Sequence, residues 1–153
     1  MPTLAEKLDQ AEAHCRAQGA QLTTLRREVL TLILGADSPL TAYQLLDQLK
    51  TQRKSAVPPT IYRALDFLIQ LRLVHRLERL NAFIPCLDSG HNHHDVQFLI
   101  CAKCGTVAEI EDAATTQALA DAARRCGFTP HHAMVELDGV CANCTGKEES
   151  SFL

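Results

Sequence analysis

Tryptophan is absent from this 153-residue chain, and five Phe and two Tyr are its only aromatic side chains. The core must therefore be largely aliphatic, and a 46% hydrophobic content is enough for one domain or two small ones. No apolar run approaches the roughly 18 residues of a membrane span. The N-terminus is also unlike a secretory signal, because Glu6, Lys7 and Asp9 interrupt any apolar stretch. Seven cysteines without such a signal point to a reducing, cytoplasmic setting, where thiols serve metals more often than disulfides. Neither His-x-Glu nor His-Glu-x-x-His occurs, which argues against a zinc deaminase or hydrolase and hence against an enzyme. There is no internal repeat.

The net charge of −3 hides an asymmetry. Residues 1–84 carry 11 Lys+Arg against 8 Asp+Glu, and residues 85–153 carry 4 against 10. The first half can meet phosphate, and the second can hold cations.

Two pairs dominate what is present: Cys101-Ala-Lys-Cys104 and Cys141-Ala-Asn-Cys144. Each puts two thiolates on one tight turn, and four thiolates suit a tetrahedral structural zinc. A redox dithiol normally uses one such pair beside a βαβ pattern. The 36 residues between the pairs exceed a zinc-finger gap, so the metal is expected to tie two separate elements together.

Periodicity orders the rest. Thr3-x-x-Glu6 is a capping box opening a helix with Leu4, Leu8, Ala11 and Cys15 inside. A second helix is expected from Thr23 to Gly35 through Leu25, Val29, Ile33 and Leu34. Thr41-x-x-Gln44 caps a third, whose inner face is Ala42, Leu45, Leu46 and Leu49. Pro58-Pro59-Thr60 starts a fourth, with Ile61, Leu65 and Leu68 inward and Tyr62, Arg63 and Asp66 outward. Val74–Leu77 and Ala82–Pro85 read as a short hairpin. Helices followed by such a hairpin make a winged helix-turn-helix over residues 1–85.

Residues 88–95 are polar and read as a linker, with a hinge expected over 86–92. Beyond it, residues 93–153 should hold a hairpin turned by the first cysteine pair, an Ala-rich helix from Asp112 to Arg125, and a strand from Ala133 to Leu137. The tail from Gly146 is expected to be loose. Cys15 and Cys126 sit at helical positions and are expected to be buried small hydrophobes. His131 and His132 are expected on opposite faces of a strand.

The fourth helix is the candidate DNA reader. Arg63 can reach guanine O6 and N7, with Tyr62 packing on the backbone or a thymine methyl. Thr60 and the helix N-terminus can bind phosphate, and Tyr43, Arg26 and Lys54 are further phosphate candidates. The alternative is an ordinary solvated face, or a winged helix that binds protein. A second metal constellation is open: His75, Cys86, His94 and Glu109 are all accepted zinc donors with a summed charge of about −2. Spacing does not separate His94 from His91 and His93.

In this order the motifs resemble the ferric uptake regulator family of bacterial metal-dependent repressors. The resemblance runs from Leu22-Thr-Thr-Leu-Arg-Arg-Glu-Val-Leu30 to Cys144. Its most specific parts are the segment from Pro58 to Leu68, Leu73-Val-His75, Phe98 to Gly105, and Gly139-Val-Cys141-x-x-Cys144. It implies an α+β fold, with a winged helix hinged to an α/β dimerisation domain. It also implies two zinc ions per chain: a structural one on Cys101, Cys104, Cys141 and Cys144, and a regulatory one on His75, Cys86, His94 and Glu109. Tyr43, Tyr62 and Arg63 match the family's DNA-contacting positions. Thr24 stands where members often have Pro, and an extra His/carboxylate site of some members has no clear counterpart.

Within the family, iron- and manganese-sensing members favour nitrogen and oxygen donors, whereas the Cys86 thiolate favours zinc. The expectation is a zinc-responsive repressor of zinc-uptake genes, binding palindromic duplex DNA as a homodimer, with no membrane and no small-molecule substrate. An iron- or peroxide-responsive regulator of the same family, or a zinc-ribbon adaptor that binds no DNA, is the alternative.

Overall fold

The structure is a computed structural model, and it describes residues 1–86 and 95–146. The chain divides into two compact units, Met1–Ser89 and Gly90–Leu153.

In the first unit the caps set the helix boundaries. Thr3 and Glu6 form the reciprocal box that opens α1 (Leu4–Ala17), and Thr23 caps α2 (Thr24–Leu34). A two-residue strand β1 (Leu40–Thr41) leads into α3 (Ala42–Lys50), which Thr41 and Gln44 cap. Then come α4 (Pro58–Gln70) and the hairpin of β2 (Val74–Leu77) and β3 (Ala82–Pro85). β1 pairs with β3, giving the sheet order β1-β3-β2. That third strand is too short for any periodicity to announce it.

The inner faces meet in one aliphatic core that includes Leu30, Leu45, Leu65 and Leu68. The α3 stripe is as expected, but Leu4 is exposed and Leu30 and Ala64 are buried additions. Polar pairs align the helices around this core. Arg27 reaches Asp9 and Glu12, each at 3.2 Å, and Arg53 forks onto Glu28 at 2.6 and 3.3 Å. Part-exposed pairs of this kind contribute about 0.2–1 kcal/mol each, so they orient more than they stabilise. α4 ends with Leu73 N–H donating to Leu68 O and Arg72 N–H to Ile69 O, with Arg72 at φ 60°. This left-handed stop turns the chain directly into β2.

The second unit is a three-stranded sheet in the order β5-β4-β6. β4 (Asp95–Cys101) is antiparallel to β5 (Val107–Ile110) and parallel to β6 (Ala133–Gly139). The parallel crossover is α5 (Ala113–Arg125), and a short α6 (Ala142–Thr145) follows β6. Alternation puts Val96, Phe98 and Ile100 on one face of β4 and Gln97 and Leu99 on the other. Gln97, 2% exposed, fastens the sheet to α5. Its amide donates to Thr116 Oγ1 at 3.1 Å, and its carbonyl accepts the N–H of Asp112, the α5 N-cap, at 2.8 Å. Asp95 Oδ1 accepts Ala133 N–H at 2.9 Å and so sets the start of β6.

α5 itself buries no side chain. Cys126, expected inside, is exposed at its C-cap for that reason. His131 and His132 precede β6, so they are not on opposite strand faces, and both are exposed. The expected linker lies almost wholly outside the described residues, as does the tail beyond Gly146.

Candidate metal centres and nucleic-acid interface

The first cysteine pair closes the β4–β5 hairpin. Cys101 N–H donates to Thr106 O at 2.9 Å and Gly105 N–H to Cys101 O at 3.0 Å, and Gly105 takes the left-handed φ of 74° this turn needs. The second pair arrives beside it because β6 runs parallel to β4. Ala102 N–H continues that ladder onto Gly139 O at 2.8 Å, and Cys141 then caps α6.

The four sulfurs lie within 4.8 Å of one another, with Cys104 Sγ and Cys141 Sγ 3.7 Å apart. A tetrahedron with Zn–S bonds of about 2.3 Å has edges of about 3.8 Å, so the donor set fits zinc in size and in chemistry. The thiols differ in their surroundings. Cys101 Sγ accepts the N–H groups of Cys104 and Cys141 at 3.5 and 3.4 Å, and these hold its thiol down at about 6. Cys104 is held below the usual thiol range, first by the Thr106 hydroxyl at 2.9 Å from its sulfur. Cys144 is pushed up to about 12, chiefly by sharing its proton with Cys141, and then by burial. Sequence reasoning overlooked Thr106; its signal is a hydroxyl directly after Cys-x-x-Cys-Gly.

The other proposed metal donors are distributed. His75 is buried on β2, and Cys86 follows β3. His75 pairs with Ile84, and Cys86 N–H extends the ladder onto Leu73 O at 2.9 Å. Leu73 and His75, and across from them Cys86 and Ile84, therefore share one face of the hairpin. Glu109 lies on β5 opposite Phe98, with one carboxylate oxygen buried. His94, His91 and His93 lie outside the described residues.

On α4, Ile61, Ala64, Leu65 and Leu68 point into the core, which leaves Tyr62, Arg63 and Asp66 exposed. Tyr43, in the first turn of α3, is 76% exposed, and Lys54 is also exposed. Two of the phosphate candidates have partners within the fold. Arg26 is used by the fold: its guanidinium stacks 3.7 Å from the Phe67 ring centre and donates to Gln21 O at 2.8 Å. The α4 N-terminus offers phosphate no spare backbone donors. Pro58 and Pro59 have no N–H, Thr60 N–H donates to Val57 O at 2.8 Å, and Val57 N–H to Thr60 Oγ1 at 3.2 Å.

A winged helix followed by a sheet unit with four convergent thiols is the layout of a two-part metalloregulator. The pattern of the ferric uptake regulator family matches residues 17–138, and the chain belongs to that family. It is 37% identical over 146 residues to the zinc uptake regulation protein of Escherichia coli (strain K12), covering 95% of this chain and 85% of the relative. It is also similar to a solved zinc uptake regulator complexed with zinc and DNA. That likeness has a TM-score of 0.89 at 36% identity, over 97% of this chain and 99% of the other. A holo XcZur crystal structure matches with a TM-score of 0.80 at 40% identity, over 91% and 96%.

Proposed function

We propose that this chain is a zinc-responsive transcriptional repressor of zinc-uptake genes, acting in the cytoplasm and binding palindromic operators as a homodimer when zinc-loaded. The observation that carries this reading is the end-to-end likeness to the zinc- and DNA-bound regulator, in a chain that keeps Tyr62 and Arg63 outward on α4.

Two zinc ions per chain are proposed. Cys101, Cys104, Cys141 and Cys144 hold the structural ion. His75, Cys86, His94 and Glu109 hold the regulatory one; His75 and Cys86 share a hairpin face, and the Cys86 thiolate favours zinc over iron or manganese. When bound, zinc supplies a redox-inert centre with four bonds to protein, which closes its shell and suits binding better than catalysis. His75 and Cys86 belong to the unit that carries α4, and Glu109 belongs to the other. Their joint ligation couples the reader to the dimer. Reading helices must sit about 34 Å apart to meet successive turns of a palindrome. Moving a population from 1:99 to 99:1 requires about 5.5 kcal/mol of preference for the competent state, within reach of a four-donor site.

On the DNA side, Arg63 addresses a guanine edge and Tyr62 the neighbouring base or backbone. Thr60 accepts Val57 N–H, and its hydroxyl proton remains available to a phosphate. Tyr43 serves a second phosphate. The dimer accounts for the apolar side chains left exposed in the second unit, Leu99, Ile110 and Leu137 among them.

The test is titration of zinc against a duplex selected from random sequence, with metal counted per chain. Tighter binding as the second zinc equivalent enters is expected, and Cys86→Ser should abolish that dependence while leaving fold and dimer intact. A Cys86→Ser protein with unchanged zinc dependence removes the regulatory site, and a response to Fe²⁺ or peroxide alone favours the alternative sensors. A protein that takes up zinc but binds no duplex is an adaptor.

A further inference from the structure

The tip of α4 is unusual for a helix facing phosphates. A helix N-cap is normally Ser, Thr, Asp or Asn, because its side chain satisfies early N–H groups. Here the N-cap is Val57, 51% exposed, in an extended conformation with φ −130° and ψ 164°. Prolines at the first two helical positions remove two of the early N–H donors, and Thr60 closes the turn from inside the helix. With backbone donors absent or already engaged, the tip presents carbon. Val57, Pro58, Pro59 and Tyr62 are all exposed, and helical spacing sets Pro59 next to Tyr62 and Arg63 on the surface of α4.

Single exposed apolar residues need no explanation, but a run of them at the leading end of a reading helix does. The major groove offers one apolar feature that distinguishes a base, the C5-methyl group of thymine. We propose that Val57 is a specificity-determining residue, its isopropyl group packing on a thymine methyl in the operator. This rests on the DNA-binding reading above and adds to it a base that neither Arg63 nor Tyr62 addresses. Val57 precedes Arg63 by six positions, about 9 Å along a helix axis. The thymine therefore lies at most about three base-pair steps from the base that Arg63 reads.

The experiment uses the zinc-loaded full chain and a duplex selected by it from random sequence. Each thymine is replaced singly by deoxyuridine, which removes only the methyl, and binding is compared for wild type, Val57→Ala, Val57→Ser and Arg63→Ala. Wild type should lose about three- to five-fold at one symmetry-related thymine pair, as expected for one buried methyl. That loss should vanish in both Val57 variants, and the thymine should lie within three base pairs of the position relaxed by Arg63→Ala. Val57→Ser improves the N-cap while removing both methyls, so agreement between the two variants excludes a helix-stability artefact. A deoxyuridine profile identical in wild type and both variants overturns this inference alone. Failure to recover any zinc-dependent duplex overturns the functional reading and this inference together.

Discussion

The two units solve the same problem, enclosing enough apolar surface, in opposite ways. Four helices of the first unit close a single aliphatic core around side chains such as Leu45, Leu65 and Leu68. Among the described residues of the second unit, the buried apolar side chains are Val96, Phe98 and Ile100 of β4, joined by Cys101 and Cys144. Its one long helix has no fully buried residue, and Leu99, Ile110, Leu119 and Leu137 stay exposed. Five buried apolar side chains are a small core for this unit. The first unit is thus held by packing, and the second by a metal site and, on our reading, by a second copy. On that reading, the half that carries the structural metal and the second copy is the half whose order depends on them.

Loss of one thiolate should have the largest effect. Cys101→Ser should cost the structural zinc and unfold the second unit, while the helices of the first persist. Structural zinc contributes on the order of 10 kcal/mol in zinc-finger peptides, so no packing here can compensate. Metal analysis with hydrogen exchange resolved by segment checks it. Protected β4 and β6 amides in a zinc-free variant would show that the sheet folds without its brace.

A paired truncation comes next. Leu65 is fully enclosed, and Leu65→Ala should destabilise the first unit by about 2–5 kcal/mol at any protein concentration. Leu137 is 55% exposed, so Leu137→Ala should cost less than about 0.5 kcal/mol in a monomer. It should instead weaken self-association. Urea unfolding at two protein concentrations, with sedimentation, separates them. A Leu137→Ala variant with unaltered association leaves that apolar face without a role in the dimer.

The same contrast decides what could be read from the sequence. The α3 stripe and both strands of the first hairpin were legible, because a self-contained core imposes strict periodicity on what it buries. β1 was not, since two residues carry no period. The two cysteine pairs announced themselves by spacing, and parallel pairing of β4 with β6 supplies the reason why they meet. The expectation for Cys126 fails because burial does not follow from helical position alone: it falls at the exposed C-cap of α5, a helix with no fully buried residue. The stacking of Arg26 on Phe67 was not legible, because the two residues lie on different helices, 41 positions apart. Thr106 and Gln97 act through one and two side-chain hydrogen bonds, which leave no pattern in composition or period.

Gln97 gives a smaller test. Gln97→Leu keeps the volume but strands the Asp112 N–H and the Thr116 hydroxyl, at a cost of about 1–3 kcal/mol. The loss should appear as faster exchange in the first turn of α5, with the first unit unaffected. Equal protection in variant and wild type would mean that α5 is held by its partner alone.

The finest distinction lies within the metal site and concerns protons. Zinc binds thiolates, so metal uptake releases whatever protons the thiols still hold. Cys101, held down at about 6 by two backbone N–H donors, has already lost its proton at pH 7.5, whereas Cys144, pushed up to about 12, retains it. The signs are opposite. The depressed Cys101 adds stability to the metal-free fold above its ordinary value of 9.0, and that stability is lost as pH falls through about 6. The raised Cys144 adds stability below 9.0, lost only as pH climbs through about 12. Zinc binding to the metal-stripped protein at pH 7.5 should therefore release fewer protons than the four thiols could supply. The number should rise toward four as the pH is lowered through 6. Calorimetry in buffers of different ionisation enthalpy counts them. Release of all four at pH 7.5 would mean that the N–H donors to Cys101 form only after the metal has arrived, making the site a product of zinc binding and not a template for it.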